Sequence, residues 1–440
     1  MHFSRRQFVR LSLTGLIGSP LVRGLADSGA YAQSPVVAKN TASTCIFIYM
    51  LGGPSQMETW DPKEGPWVPG DLDIRSYAGG VTLSHKLFPI LSRNVADLVV
   101  LRSLQAWEAI HERGQYYLQT SYADLPDLSR QLPCLGSVTA YESESSRTPD
   151  DFLPPFLAIG VGDLLPFSAG FLSRRYAPFK MPFTYIGNGI PNLHASIDAD
   201  RLSKRIQLLE YLEGANPGSY GGLDDNAVAA EWARTLLTRD LDPIFRLDKK
   251  EGEHYGNNYF GDQCLLARNL IRADAGVRFL ALFQGGWDHH FEIFDPSNPL
   301  GLYRLAFEFD TAVGNLLEDL KAGGQLEKTL IVAMGEFGRT PGPLNSSKGR
   351  DHYRAAQVAL LAGGGTRGPK AIGATDPNGG FIVDYGWSGE RPIRMEDITA
   401  TIYSALGINW TKTISTPSGW TYEYIRHSEP ERYRPIDEVF

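Results

Sequence analysis

The chain has 440 residues, among them 46 glycines and 28 prolines, and a formal net charge of −8. Its ordinary fractions of hydrophobic residues (42%) and charged residues (21%) exclude a disordered chain or a coiled coil. A general nucleic-acid binder is also excluded, because contacts to phosphate need a basic surface. Three cysteines cannot form a disulfide framework. These properties indicate a soluble enzyme with a single site and long irregular loops.

The first 32 residues resemble a twin-arginine export signal. Arg5 and Arg6 stand two residues before Phe8, an apolar stretch covers residues 11–25, and residues 30–32 fit a cleavage site. This stretch is too short, and too interrupted by glycine and proline, for a stable membrane span. We therefore expect cleavage after residue 32, the twin-arginine translocase as a partner during export, and a periplasmic or secreted mature protein.

The mature chain, residues 33–440, alternates predicted strands with predicted helices. The predicted strands cover residues 45–51, 98–101, 156–159, 277–283, 329–334 and 358–361. The predicted helices cover residues 87–96, 112–122, 198–213, 224–239, 263–273, 303–322 and 395–406. This alternation predicts one α/β domain with a mostly parallel sheet between helices. Within it, residues 184–260 are predicted to form a helical insertion that caps the domain.

Two polar clusters follow predicted strands, where ligands bind in parallel sheets. Asp288, His289 and His290 follow the strand at 277–283, and a carboxylate beside imidazoles is a pattern of metal ligands. A polar loop with a helix-capping aspartate would explain the same residues.

The second cluster begins with Glu336, directly after the strand at 329–334, and continues to Asp351 and His352. Arg339 and Arg350 lie between them and are candidates to hold an oxyanion through two hydrogen bonds each. A solvated loop with surface ion pairs is the alternative interpretation.

His111 opens a predicted helix after the second strand, where free N–H groups and the helix dipole favour anions. The zinc-protease motif H-E-x-x-H is not met, because Gln115 stands where the second histidine belongs. Ser55 and Arg113 are candidates for substrate binding. Ser55 does not lie in the G-x-S-x-G turn of an α/β-hydrolase.

Together these motifs, in this order, resemble the bacterial domain-of-unknown-function 1501 family over nearly all of residues 40–410. The matching pieces include Gly52-Gly53-Pro54-Ser55-Gln56, His111-Glu112-Arg113-Gly114, Gly286-Trp287-Asp288-His289, Gly335-Glu336-Phe337-Gly338-Arg339-Thr340 and Gly349-Arg350-Asp351-His352. That family is similar to the alkaline phosphatases and sulfatases. The resemblance implies a site at the carboxyl ends of the strands and one or two divalent cations.

The chain departs from that superfamily at two places. Its first strand ends in Gly52-Gly53, where the superfamily usually has a metal-binding aspartate, and His111 takes the place of the nucleophile. No C-x-P-x-R motif supports a formylglycine. His111 would then be a nucleophile, a general acid or base, or a further metal ligand, unless hydrolytic chemistry has been lost.

The resemblance and the clusters together predict an exported, metal-dependent hydrolase of small-molecule or glycan phosphate or sulfate esters. The predicted metal ligands are Asp288, His289, His290, Glu336, Asp351 and His352, and the predicted catalytic residues are His111, Arg339 and Arg350. The metal would be Zn, Mn, Fe, Ca or Mg. The alternative is a non-catalytic periplasmic binding or assembly protein that keeps the fold and a structural metal.

Overall fold

A computed structural model describes residues 36–123, 131–160, 167–181, 239–426 and 433–440, with isolated positions between 200 and 232. The chain divides into two units, Met1–Val37 and Ala38–Phe440, and the α/β fold lies in the second. The predicted export signal, residues 1–32, and most of the predicted insertion at 184–260 lie outside the described residues.

The fold is built on a sheet of eight strands. In chain order they are β1 (Thr44–Met50), β2 (Leu98–Leu104), β3 (Phe156–Ile159), β4 (Phe179–Met181), β5 (Phe279–Gln284), β6 (Thr329–Met334), β7 (Gln357–Ala362) and β8 (Lys370–Ile372). Across the sheet their order is β8-β2-β7-β6-β1-β5-β3-β4. Only β7 runs antiparallel to its neighbours, β2 and β6. The predicted α/β fold with a mostly parallel sheet is therefore confirmed.

Short hairpins and helices complete the described part of the chain. The hairpins pair Ile74–Ser76 with Thr82–Ser84, Gly338–Arg339 with His352–Tyr353, Ala374–Thr375 with Ile382–Asp384, and Thr413–Ser415 with Thr421–Glu423. The helices are α1 (Pro89–Arg93), α2 (His111–Thr120), α3 (Leu135–Ser143), α4 (Asp242–Phe245), α5 (Lys249–His254), α6 (Tyr259–Ala273), α7 (Leu302–Ala322) and α8 (Met395–Ala405). No helix of the described residues has the length and apolar character needed to cross a membrane.

Both faces of the sheet are covered by helices. Along β1, Ile46 and Ile48 belong to one apolar core with α6 and α7, whereas Phe47 and Tyr49 belong to a second core with α2, α3 and α8. Side chains of a strand alternate between the two faces, so a strand buried on both sides must be apolar throughout. This is why the six central strands could be predicted as continuous apolar runs.

A buried carboxylate joins one layer of helices to the loop before β2. Asp310 of α7 accepts hydrogen bonds from the backbone N–H groups of Ile90 and Leu91, both at 2.8 Å, at the first turn of α1. Burial raises the pKa of Asp310 to about 6. Its contribution to stability is therefore complete below about pH 4 and is lost as the pH rises through 6.

We predict that Asp310→Asn weakens the pH dependence of stability. Between pH 4 and pH 7 the free energy of unfolding of the unaltered chain should fall by roughly 3 kcal/mol more than that of the variant, since each pKa unit corresponds to 1.36 kcal/mol. Urea unfolding across this pH range measures the difference, and Glu327→Gln at an exposed position serves as the control. Parallel pH profiles of Asp310→Asn and the unaltered chain would contradict the prediction.

Candidate functional site

Five chain segments meet at one edge of the sheet. Parallel strands β1, β5 and β6 end there and lead into Gly52-Gly53, residues 288–290 and Glu336. Strand β2 ends at this edge as well, and the chain that follows it forms α2, with His111 as its first residue. Strand β7 runs in the opposite direction, so the segment that enters it brings residues 351–352 to the same edge.

These segments place six polar side chains together, which we call the histidine–carboxylate cluster: His111, Asp288, His290, Glu336, Asp351 and His352. Asp288 Oδ1 lies at its centre. The Nε2 atoms of His290, His352 and His111 lie 3.1, 3.2 and 3.4 Å from this oxygen. The Nε2 atoms of His290 and His352 are 3.0 Å apart. Three imidazole nitrogens and a carboxylate oxygen thus face one small volume.

The other ring nitrogen of each histidine faces an oxygen acceptor. His111 Nδ1 lies 2.7 Å from Glu336 Oε1, and His290 Nδ1 lies 2.8 Å from Asp351 Oδ1. His352 Nδ1 lies 2.8 Å from the carbonyl oxygen of Ala109. Such an acceptor keeps the proton on Nδ1 and leaves the lone pair on Nε2, as in histidines that bind metals.

The two orienting carboxylates are themselves held in place. Glu336 accepts hydrogen bonds from the backbone N–H of Gly52, at 3.0 and 3.2 Å, and from the side chain of Gln115 at 3.3 Å. Asn345 donates to Asp351 Oδ1 at 3.2 Å and to the carbonyl oxygen of His290 at 3.0 Å. The orientation of the rings is therefore fixed by residues outside the cluster as well as within it.

Charges in the cluster shift several pKa values. Burial alone would raise the pKa of Asp288, but the hydrogen bond and charge of Arg339 lower it to about 2. The hydrogen bond to Glu336 raises the pKa of His111, and the hydrogen bond from His290 lowers that of Asp351. Burial lowers the pKa of His352. Asp288 therefore carries its negative charge over the whole physiological pH range.

The donor set of the cluster fits a divalent metal ion. Ligand atoms of His111, Asp288 and His352 all lie within 4.8 Å of one another. Tetrahedral ligands at about 2.0–2.1 Å from zinc are separated by roughly 3.3 Å, close to the spacings around Asp288 Oδ1. His111 Nε2 is buried and has no hydrogen-bond partner among the described residues. The lone pair on Nε2 of His111 is therefore available to a metal ion.

The turn after β1 lets two loops approach the cluster closely. Gly52 has a φ of +111°, and a Cβ atom there would lie 2.4 Å from the backbone nitrogen of Asp288. Gly53 has a φ of +80°, and its Cβ atom would lie 2.7 Å from the carbonyl oxygen of Phe337. Only glycine fits both the conformation and the space. This turn thus lets the loop that carries Asp288 and the loop that carries Glu336 approach each other closely.

Five predicted site residues lie outside this cluster, and three of them are His289, Ser55 and Arg113. His289 is buried, its Nε2 lies 2.9 Å from the carbonyl oxygen of Leu300, and burial lowers its pKa to about 4. Ser55 is also buried. Arg113 is exposed on α2, 3.9 Å from Glu108. The Nε2 atom of His289 therefore faces a backbone carbonyl oxygen and not Asp288 Oδ1, its Nδ1 is buried without a hydrogen-bond partner among the described residues, and Ser55 has no open surface toward a substrate.

The two predicted oxyanion-binding arginines are both fully buried. Arg339 donates to the carbonyl oxygens of Gly53 and Arg350, each at 2.9 Å, and also contacts the Gly52 carbonyl oxygen and the Asp288 carboxylate. Arg350 binds Glu58 Oε1 at 2.8 and 3.0 Å, and neither side chain is exposed. Their guanidinium groups hold loops together and do not face an open site as an oxyanion clamp requires.

Sequence reasoning missed the supporting residues Glu58, Gln115 and Asn345. Glu58 follows the first strand in a run without a recognisable motif, and its partner Arg350 is 292 residues away. Gln115 stood out only because it broke a zinc-protease motif. Asn345 begins the sequence Asn345-Ser346-Ser347, which matches a glycosylation sequon and does not indicate a contact with the cluster. Only the tertiary structure shows what these three side chains contact.

The fold and the cluster define an α/β protein with a group of imidazole and carboxylate donors, of a kind that fits a metal ion, at the carboxyl edge of its sheet. Its sequence matches the family described as "Protein of unknown function (DUF1501)" over residues 42–433, so the chain belongs to that family. No curated protein matches the sequence.

Several solved structures are similar to this one. A protein of the alkaline phosphatase superfamily from Vibrio parahaemolyticus is 12% identical, with a TM-score of 0.40 over 84% of this chain and 68% of that chain. The lipoteichoic acid synthase LtaP from Listeria monocytogenes is 12% identical, with a TM-score of 0.38 over 88% and 78%. Alkaline phosphatase from the Antarctic bacterium TAB5 is 11% identical, with a TM-score of 0.38 over 85% and 100%. At these values the similarity does not establish an activity.

The buried pair Glu58–Arg350 leads to a prediction about stability. Arg350→Met leaves the Glu58 carboxylate buried and unpaired, so the free energy of unfolding should fall by about 3–5 kcal/mol. The double variant Glu58→Gln/Arg350→Met should recover much of this loss, because no buried charge remains. Urea denaturation measures both, with the exposed Arg113→Met as a control expected to change by less than about 0.5 kcal/mol. A double variant as unstable as Arg350→Met would contradict this account.

Proposed function

We propose that this chain is an exported, metal-dependent hydrolase of phosphate or sulfate esters that resembles alkaline phosphatases and sulfatases. The observation that carries the proposal is the convergence of three Nε2 atoms on Asp288 Oδ1, with each Nδ1 atom held by an oxygen acceptor. Arrangements of this kind bind metals in hydrolytic enzymes. Their position beyond the carboxyl ends of the strands is where α/β enzymes bind substrates.

The residues that would hold the metal are His111, Asp288, His290 and His352. Three imidazoles with one carboxylate favour Zn, Mn or Fe over Ca or Mg, which prefer oxygen ligands. The carboxylates of Asp288, Glu336 and Asp351 outnumber the single guanidinium of Arg339 by two negative charges. A divalent cation would compensate these charges, polarise an ester oxygen and lower the pKa of a water molecule.

We assign His111 to the ligand set and not to the nucleophile. Its Nδ1 atom is engaged by Glu336, and its Nε2 atom faces the same oxygen as the rings of His290 and His352. The geometry of His111 thus matches that of the other two histidines. Glu336 then acts as a positioning residue, because it holds the His111 ring and touches no substrate.

The open side of the cluster would admit the ester. The side chains of Asp288 and Asp351 are 44% and 55% exposed, whereas Glu336 is not exposed at all. A substrate would therefore approach over Asp288 and Asp351, away from the turn at Gly52. Asp351 is the carboxylate that both orients His290 and carries a negative charge at this opening.

A second candidate function is a non-catalytic binding or assembly protein that keeps a structural metal. The observation in its favour is that His111, at the place of the nucleophile, lies within the ligand set. A chain of this kind would bind metal without turnover. Measurements of metal content and of activity on the same samples separate the two functions.

We predict that removal of one ligand abolishes metal binding. His352→Ala should lose the metal while the circular dichroism spectrum stays unchanged, because the partly exposed ring contacts the buried Phe337 ring but lies outside the eight-stranded sheet and its covering helices. Asp351→Asn should weaken affinity about 10–100-fold, since it changes the acceptor that orients His290 and removes one of the negative charges near the metal. Elemental analysis and competition with a chelator measure both. His254→Ala, an exposed histidine outside the cluster, should behave like the unaltered chain, and full metal content in His352→Ala would refute the site.

We further predict turnover of chromogenic aryl phosphates or aryl sulfates after loading with zinc or manganese. His111→Ala should lose activity and metal together, because we assign it to the ligands. Loss of activity with metal content intact would instead make His111 the nucleophile. Stoichiometric metal without turnover of any ester in the panel would favour the non-catalytic function.

The export step is a separate part of the proposal and depends on the motif at Arg5 and Arg6. Replacing both residues with lysine should leave uncleaved precursor in the cytoplasm, because the twin-arginine route recognises the arginine pair. Fractionation of cells followed by immunoblotting measures the distribution, and N-terminal sequencing of the exported protein should begin at Gln33. Normal delivery of the double lysine variant would exclude this route.

A further inference from the structure

A cavity in the described part of the chain lies far from the histidine–carboxylate cluster. It has a volume of about 310 Å³, and its lining includes three arginines, Arg147, Arg175 and Arg239, with the aromatic rings of Phe152 and Trp232. This volume falls at the lower end of the range of sites for small organic molecules. The protein as a whole is acidic, with a net charge of −8, so a cavity with this many cations is a local exception.

The cavity lies at the amino-terminal edge of the sheet. Pro155, which is part of its lining, directly precedes β3 and accepts hydrogen bonds from the backbone N–H groups of Arg278 and Phe279 at the start of β5. The cluster follows the other end of β5. At about 3.3 Å per residue, the six residues of β5 separate the two regions by roughly 17 Å or more. A ligand in the cavity would therefore not touch the cluster.

Arg147 is fixed in the cavity wall with part of its hydrogen-bonding capacity unused. It donates through NH1 to the carbonyl oxygen of Gly276 at 3.0 Å and through NH2 to that of Leu153 at 2.8 Å, and it also contacts the carbonyl oxygen of Asp151. Its guanidinium carbon lies 5.4 Å from the Trp232 ring centre. No acceptor among the described residues takes the Nε–H. The group is thus held rigidly, as a preformed anion site requires.

Arg239 contributes a second guanidinium group. Its central carbon lies 4.3 Å from the centre of the Phe152 ring. Among the residues that the structure describes, no carboxylate forms an ion pair with it. A guanidinium has five N–H donors, and stacking on a ring leaves the donors at its edges free to bind an anion.

The carboxylates in the lining do not cancel this positive charge. Glu144 pairs with Arg175 at 3.2 Å. Asp151 accepts hydrogen bonds from the N–H and hydroxyl groups of Thr148 and pairs with Arg278 at 3.2 Å. Both carboxylates thus form their ion pairs with arginines other than Arg147 and Arg239, although they also attract Arg147, and the three arginines of the lining exceed its two carboxylates by one positive charge.

We propose that this cavity binds a small organic anion through a phosphate-type oxyanion group. Two guanidinium groups match the several oxygens of such a group, and the Phe152 and Trp232 rings and nearby prolines match its organic part. The site is distinct from the cluster. It does not depend on the proposed hydrolase function.

Phenylphosphonate is a suitable probe, because it has no ester bond that the cluster could hydrolyse. Isothermal titration of the full mature chain, dialysed against a chelator, should show one saturable site whose affinity falls as salt is added. His352→Ala should retain this site. Arg239→Gln should weaken binding at least tenfold, and Arg246→Gln, an exposed arginine outside the cavity, should change it less than twofold.

Each contrary result overturns the proposal. Loss of binding in His352→Ala would place the anion at the cluster, with the proposed hydrolase function unaffected. Equal losses in Arg239→Gln and Arg246→Gln would show a general effect of charge. Unchanged affinity in Arg239→Gln, or the absence of a saturable site in the unaltered chain, would show that the cavity binds no such anion. Arg239 is exposed at the surface, so its substitution should leave the fold intact.

Discussion

The buried guanidinium of Arg339 fixes the arrangement of the loops that form the site. It donates to the carbonyl oxygens of Gly52 and Gly53 after β1 and of Arg350 before β7, and it contacts Asp288 after β5. A guanidinium is planar and its donors point in fixed directions. The three loops can therefore satisfy it in only one relative arrangement. Loss of this group would leave buried carbonyl oxygens without donors, which is costly in free energy.

Arg339 also sets the electrostatics of the cluster. Its charge lowers the pKa of Asp288 and keeps the central oxygen ionised, but the same charge would repel a metal ion. Glu336 and Asp351 offset this repulsion from the far side of the histidine rings. The negative charge that would attract a cation is thus divided between Asp288 at the centre and the two outer carboxylates, Glu336 and Asp351. Glu336 also fixes the tautomer of His111, and Asp351 fixes that of His290.

More of the fold than of the candidate site could be predicted from the sequence. Long apolar runs such as Thr329–Met334 identify buried strands directly, whereas the edge strands Phe179–Met181 and Lys370–Ile372 are too short to show a periodicity. The presence of Asp288 and Glu336 at one edge follows from the parallel strands that precede them. The antiparallel direction of Gln357–Ala362, which brings His352 there, cannot be read from the sequence.

Neighbouring histidines show the limit of motif reasoning within the site. His289 and His290 are adjacent and chemically identical, yet one ring turns inward to Leu300 and the other outward to Asp351. The backbone conformation of the loop decides between them, and no residue pattern encodes it. The cavity at the opposite edge of the sheet could not be predicted from motifs either, because Arg147 and Arg239 are 92 positions apart and belong to no shared motif.

The glycine turn after β1 explains how the His111 ring comes to face Asp288 Oδ1. A side chain at Gly52 would collide with the backbone at Asp288, so this turn cannot supply a ligand of its own. It supplies instead a backbone N–H, which holds Glu336. Glu336 in turn holds His111, and the ring of His111 reaches the central oxygen from α2. The cluster thus receives a ring from the helix after the second strand at a place where Gly52 can contribute no side chain, and the Glu336 carboxylate supports that ring.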